Sequence, residues 1–260
     1  MVFVPDPETQ IPESVGRLAA LLTRTTRALG DSIHDWRRSP GIHEGAPKSL
    51  VLQALLHQRI YRVLGRDPGL AVQVIARLPA DLRPAARSTC AALSRLFAQV
   101  QPVPSAAPFR TGPPEPPGAL LGYYQEAEQR FGVDWTLLAA VNFVESKFGR
   151  SRSTSTAGAQ GPMQFIPSTW EAYGMGGDVD DPHDAILGAA NYLHASGAPG
   201  DDRAALFAYN HSDNYVEAVL RYAGAMRRDA SQFLVYYSWQ VFVVTTSGDV
   251  RLTGPGANGD

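Results

Sequence analysis

The sequence predicts a mainly α protein, with an N-terminal helical bundle and a short C-terminal β-hairpin. Three observations carry that reading. Apolar residues recur at helical spacing over 14–100 and again over 119–227. A segment with seven prolines, 101–118, separates the two runs. The stretch 233–252 is dense in aromatic and β-branched residues, and Ser247-Gly248-Asp249 interrupts it as a turn would.

The elements follow in order. Val15, Leu18, Leu22, Leu29, Ile33 and Trp36 lie on one face of a helix over 14–36, and Val51, Leu52, Leu55, Leu56, Ile60 and Val63 mark a second over 48–64. GRDPG at 65–69 is a turn signal. A shorter helix (70–78) and a longer one (81–100) complete a bundle over 1–100. The sole cysteine, Cys90, falls on the apolar face of the last of these and reads as a core thiol. His34, His43 and His57 have no metal-ligand spacing, so the bundle offers no chemistry of its own.

Proline removes a backbone donor and fixes φ, so 101–118 is read as a linker or an extended strap. Helices are expected at 120–131, from Asp134 to Phe148, and after a Gly/Ser/Thr-rich loop at 149–162. Ser168-Thr-Trp-Glu171 has the form of a capping box. Asp181, followed by Pro182, reads as an N-cap, as does Asp201 or Asp202 before the helix through Ala208. A last helix covers 213–227, the hairpin 233–252, and a loose tail follows. The expected division is a bundle over 1–100, a linker over 101–118, a second helical domain over 119–230, and the hairpin and tail over 231–260.

Charge excludes more than it suggests. The formal net charge is -2, which gives no electrostatic reason to expect nucleic acid or an anionic membrane surface. One cysteine excludes an intrachain disulfide framework. The N-terminal stretch MVFVPDPETQIPES lacks a basic region followed by an apolar one, so it does not read as a secretory signal.

The chemistry starts with VNFVESKFGR, 141–150. Glu145 shares a helix face with Leu138, Val141 and Phe148, and a carboxylate there needs a partner or a purpose. One reading is a half-exposed glutamate paired with Lys147, Arg150 or Arg152. The other is a carboxylic acid in an apolar pocket, where desolvation raises its pKa and keeps a proton available near neutral pH. Beyond it, Gly158 and Gly161 permit backbone shapes that a Cβ would block. Gln164 offers a donor and an acceptor, while Met163 and Phe165 offer apolar surface. Read singly, Met163 and Phe165 are core residues and Ser155 is an ordinary loop serine.

Taken together and in order, Glu145-Ser146, the Gly158-Ala-x-Gly161-x-Met163-Gln164-x-x-Pro167 run and Ala208-Tyr209-Asn210 resemble the lytic transglycosylases, lysozyme-like enzymes that cleave peptidoglycan. The resemblance covers roughly 119–227, and the GPMQFIPSTW wording is closer to the membrane-bound B-type branch and its actinobacterial relatives than to the soluble large transglycosylases. It implies a lysozyme-like helical catalytic domain between the bundle and the hairpin. It implies Glu145 as catalytic acid, with Ser155, Met163, Gln164, Tyr209, Asn210 and Tyr215 at the substrate. Tyr215 follows Tyr209 at the spacing of the B-type branch, yet a tyrosine at a helix start is also ordinary packing.

The implied reaction breaks the β-1,4 bond between N-acetylmuramic acid and N-acetylglucosamine with a single carboxylic acid and leaves a 1,6-anhydro product. Peptidoglycan glycan strands are the implied partner, cell-envelope proteins a further one, and the oligomeric state stays open. The expected place of action is extracytoplasmic. No cofactor is expected. B-type relatives can carry an EF-hand-like loop, but the stretch 176–182 is too short and lacks a closing glutamate, so no required calcium is expected either. Two other readings stand beside this one. A module that keeps the cleft without catalysis would bind glycan or serve as a scaffold. A goose-type hydrolase would need a second carboxylate, for which Asp178 and Asp180 are the candidates.

Overall fold

The computed structural model describes residues 3–39, 42, 45–155 and 157–257; His43 and the last three residues of the tail lie outside them. Among the described residues are eleven helices and one antiparallel strand pair. The helices are α1 (Val15–Arg37), α2 (Lys48–Arg66), α3 (Pro68–Arg77), α4 (Arg83–Phe97), α5 (Pro117–Phe131), α6 (Trp135–Ser146), α7 (Pro167–Tyr173), α8 (Pro182–Ala195), α9 (Asp202–Tyr209), α10 (Asp213–Arg228) and α11 (Ser231–Tyr237). The strands are β1 (Phe242–Thr245) and β2 (Gly248–Arg251). The mainly α class with a C-terminal hairpin is therefore what the chain adopts.

The helix starts follow capping chemistry. The Asp134 carboxylate accepts from Thr136 N at 2.8 Å, Asp181 from His183 N at 2.9 Å, and Asp201 from Ala204 N at 2.9 Å. Asp67 does the same for Leu70 N at 2.8 Å. Ser168 does not cap α7. That helix begins one residue earlier, on Pro167, with Ile166 at the cap position and no side-chain cap. Proline at the first helical position needs no donor, so it displaces the serine.

Two further expectations are corrected. The segment 233–252 is not all hairpin, because Phe233 to Tyr237 belong to α11. Five successive residues there are buried, so the helix is apolar all round and shows no period to read. The hairpin is the shorter pair 242–245 and 248–251, with Val243 opposite Val250. Phe148 does not continue α6 either. The helix ends at Ser146, and Lys147 and Phe148 take φ values of 54° and 60°.

α10 is the common wall of the molecule. It packs against α4 from the bundle and against α6 and α9 from the other side. One buried cluster runs from Leu18 and Leu22 of α1 through Cys90 of α4 to Leu138 of α6, Val219 of α10 and Trp239. Its centre is aromatic. Phe143 lies 4.9 Å from Tyr222 and 5.2 Å from Tyr236, ring to ring. The hydroxyls of Thr89 and Tyr236 meet at 2.9 Å and tie α4 to α11. Gln58 of α2 exchanges two hydrogen bonds of 2.8 Å with the Gln240 backbone.

The proline-rich segment is a strap held at both ends. Val103 N donates to Val244 O at 3.0 Å on the hairpin side. At the other end Gly112 N donates to Arg150 O at 3.0 Å and Arg152 N to Arg110 O at 2.9 Å. It thereby fixes the loop that follows α6.

Candidate active site

Glu145 stands in the last turn of α6, a mostly apolar helix whose Leu137 to Phe143 are all buried. The helix cannot continue past Ser146, because two successive residues adopt the left-handed conformation. For Lys147 and Phe148, neither of them glycine, that backbone is costly and must be held by its surroundings. The holding contacts are visible. Ser146 Oγ donates to Pro162 O at 2.5 Å and accepts from Gly149 N at 2.8 Å. Asn142 Nδ2 donates to the same Pro162 carbonyl at 3.0 Å, and its Oδ1 accepts from Tyr124 Oη at 3.0 Å. The Lys147 ammonium folds back onto Phe143 O at 2.9 Å.

These bonds bind the glycine loop to the acid-bearing helix. Gly161 needs its missing side chain: its φ is +71°, and a Cβ there would sit 1.9 Å from Val179 O. Met163 is fully buried beneath the site. Gln164 has φ 52° and donates from Nε2 to Gly161 O at 3.0 Å. From α9, Tyr209 Oη donates to Met163 O at 2.6 Å, and its ring lies 5.9 Å from Phe165.

Electrostatics make Glu145 unusual. By surface area it is half-buried, but protein crowds its carboxyl. Desolvation pushes the group up to about 7, against the opposing pull of the Tyr215 hydroxyl and the Lys147 charge. The Tyr215 hydroxyl is buried with no hydrogen-bond partner at full geometry, yet it is close enough to influence the carboxyl. Burial, and then the charge of Glu145, raise the pKa of Tyr209 and of Tyr215 well above the ordinary value, so both stay protonated at neutral pH. Burial also lowers Lys147 to about 8, helped by the nearby Arg62 and opposed by Glu145.

The structure thus groups Glu145, Met163, Tyr209 and Tyr215, while Gln164, next to Met163, turns its amide onto Gly161 O within its own loop. Ser155 is exposed, and its Oγ accepts from Ala157 N at 3.2 Å and Ala159 N at 3.0 Å within its own loop. Asn210 is exposed at the end of α9. Sequence reasoning misses Lys147 and Asn142 as site residues. The signal for Asn142 is a polar residue in an apolar helix three positions before the acid. Lys147 stands out only as a counter-charge.

Neither second-carboxylate candidate acts on Glu145. Asp178 Oδ1 accepts from Asp180 N at 2.9 Å, and Asp178 N donates to Asp184 at 2.9 Å, so Asp178 shapes the turn before α8. Asp180 lines a cleft of about 330 Å³ with Glu115, Gly149 and Gly161, and Glu145 is not among its lining residues. Asp181, His183 and Asp184 bring ligand-type atoms within 4.8 Å of one another. All three are already engaged, since Asp181 caps α8, Asp184 holds Asp178 N, and His183 bonds Glu126 at 2.9 Å.

A half-buried acid at a helix end, a glycine loop clamped against that helix and two tyrosines near the acid make up the candidate site. Residues 122–232 match the family model described as Transglycosylase SLT domain. Similar curated proteins bear the name membrane-bound lytic murein transglycosylase F. That of Thiobacillus denitrificans is 32% identical over 122 residues, covering 44% of this chain and 26% of the relative. That of Stutzerimonas stutzeri is 33% identical over 119 residues, covering 43% of this chain and 24% of the relative. The chain therefore spans about a quarter of the length of these relatives. No solved structure matches the chain.

Proposed function

We propose that this chain is a peptidoglycan lytic transglycosylase in which Glu145 is the one catalytic carboxyl group. The observation that carries the reading is the half-buried Glu145 carboxyl, pushed up to about 7, with no carboxylate among the groups that act on it. A group poised there is protonated in part at neutral pH and can serve first as acid and then as base. Glu145 gives its proton to the bridging oxygen as the C1–O bond breaks, and the N-acetylglucosamine side leaves with a hydroxyl. The substrate's N-acetyl oxygen stabilises the positive charge at C1. The Glu145 carboxylate then takes the proton of the muramic 6-hydroxyl, whose oxygen closes on C1. No water enters, and the product is a 1,6-anhydro sugar.

Tyr215, held protonated beside Glu145, supplies a donor to the carboxylate formed in the first step. Tyr209 and Gln164 order the loop that carries Met163. Asn210 and Ser155 complete the proposed contacts with the glycan. Residues 119–230 would hold the reaction, with 1–100 as a supporting bundle. The names of the relatives support a cell-envelope location and glycan strands as partner. Among the described residues, no helix is long and apolar enough to cross a membrane. The B-type wording of the glycine loop is part of this proposal, since the matching relatives carry the F designation. The test is turnover of purified peptidoglycan by the wild-type chain and by Glu145→Gln. Turnover by the folded variant at the wild-type rate would return the domain to a role in glycan binding or to a different catalytic group.

A further inference from the structure

A second concavity, of about 460 Å³, lies away from Glu145, between α2, the hairpin and the N-terminal segment. Four guanidinium groups meet there: Arg59, Arg62 and Arg66 from α2, and Arg251 from β2. Among the described residues, only two carboxylates, Glu8 and Asp249, line it with them. Each carboxylate is shared. Asp249 lies 2.8 Å from Arg62 and 2.6 Å from Arg66. Glu8 lies 2.9 Å from Arg251 and 3.8 Å from Arg59.

Four positive charges against two negative ones leave two uncompensated, in a chain whose net charge is -2. The excess is concentrated in a concave, partly buried place, where a field is focused rather than screened. The side chains of Arg62 and Arg251 are only 11% and 9% exposed. Their donors outnumber the acceptors. Arg251 Nε is buried with no partner, and Arg62 Nη2 approaches Asp249 without hydrogen-bond geometry. Like-charge crowding shows as well, because burial and then the neighbouring Arg66 push Arg62 below the usual guanidinium range, against the pull of Asp249. Arg59 Nη1 also donates to Pro7 O at 2.7 Å and Thr9 O at 3.0 Å, and the Arg66 guanidinium lies 4.0 Å over the Phe97 ring. These neutral contacts hold the side chains in place but leave the two surplus charges unbalanced.

We propose that this concavity binds an oxyanion carrying two negative charges, held at its mouth by the charge of Arg59 and Arg66 and by the donors they do not spend on Pro7 O, Thr9 O, Arg62 O and Asp249. Arginine forks match phosphate and carboxylate oxygens alike. The shared chemistry therefore admits a phosphate group or a pair of carboxylates. The site is independent of whether the other one cleaves glycan.

The experiment is calorimetric titration of the full chain with pyrophosphate in one arm and glutarate in the other. Saturable binding of pyrophosphate alone assigns a phosphate ligand, and of glutarate alone a dicarboxylate. Arg66→Gln and Arg59→Gln, made separately, should each weaken binding roughly tenfold, since a charge-assisted hydrogen bond is lost. Circular dichroism checks that each variant is folded. Should one fail to fold, the other variant and the fall in affinity with added sodium chloride decide. No saturable binding of either anion, or binding that both folded variants keep at wild-type strength, overturns the proposal.

Discussion

The Tyr209 hydroxyl donates to the Met163 carbonyl at 2.6 Å, which joins the end of α9 to the glycine loop beside Glu145. The contact explains why a motif some forty residues downstream belongs to the same site. Tyr209→Phe keeps the ring against Phe165 and removes only the hydroxyl. A lost hydrogen bond to a buried carbonyl costs about 1–2 kcal/mol. The expected outcome is a folded protein with a thermal midpoint a few degrees lower and turnover reduced about tenfold. Unchanged turnover would show that the bond does not position the loop for the reaction.

The pH dependence of activity follows from Glu145. In the proposed reaction its carboxyl is protonated to act first as an acid, so activity should fall as pH rises through about 7. Lys147 pulls the carboxyl pKa down. Lys147→Met should therefore move the alkaline limb to higher pH, while Lys147→Arg should leave it near its wild-type place. Initial rates from pH 5 to 9 would check both; a limb that moves down in the methionine variant contradicts the account.

Stability carries the same signature with a definite sign. The folded-state pKa of Glu145 lies above its unfolded value of 4.5. The folded state thus binds the proton more tightly, and that contribution is present below pH 4.5 and lost as pH rises through about 7. Glu145→Gln should be more stable than the wild type at pH 8, by roughly 1–3 kcal/mol relative to the difference at pH 4. Urea unfolding at both values measures it.

How much of the fold and site is legible in the chain depends on what each residue reports. Asp134, Asp181 and Asp201 mark their helices because a cap is local chemistry. Glu145 is visible because one carboxylate breaks an apolar face. The Val103 and Thr111 ends of the strap are not visible, because proline content says extended and says nothing of where. α11 reads as strand, since aromatic and β-branched density means burial in either element. The left-handed pair Lys147-Phe148 leaves no trace in sequence, because tertiary bonds from Ser146 and Asn142 impose it. The glycines at 158 and 161 hint at a special backbone, yet only the approach of Val179 O explains Gly161.

The shared wall of α10 yields another prediction. α4 covers one side of α10, and Thr89 bonds Tyr236. A chain beginning at Pro117 loses that cover and bares apolar surface of α10 and α11. It should be far less stable than the full chain and should bind a hydrophobic dye. A cooperative unfolding transition at the full-length midpoint would instead mark 119–230 as independent of the bundle.

The central claim is a single carboxyl group that acts as acid and then as base on one substrate. Mass spectrometry of the sugars released from purified peptidoglycan tests it most directly. Ring closure by the muramic 6-hydroxyl gives products about 18 Da lighter than hydrolysis, because no water is added. The account predicts anhydro products from the wild type and none from Glu145→Gln. Products with reducing muramic ends, lost on Asp178→Ala or Asp180→Ala, would contradict it.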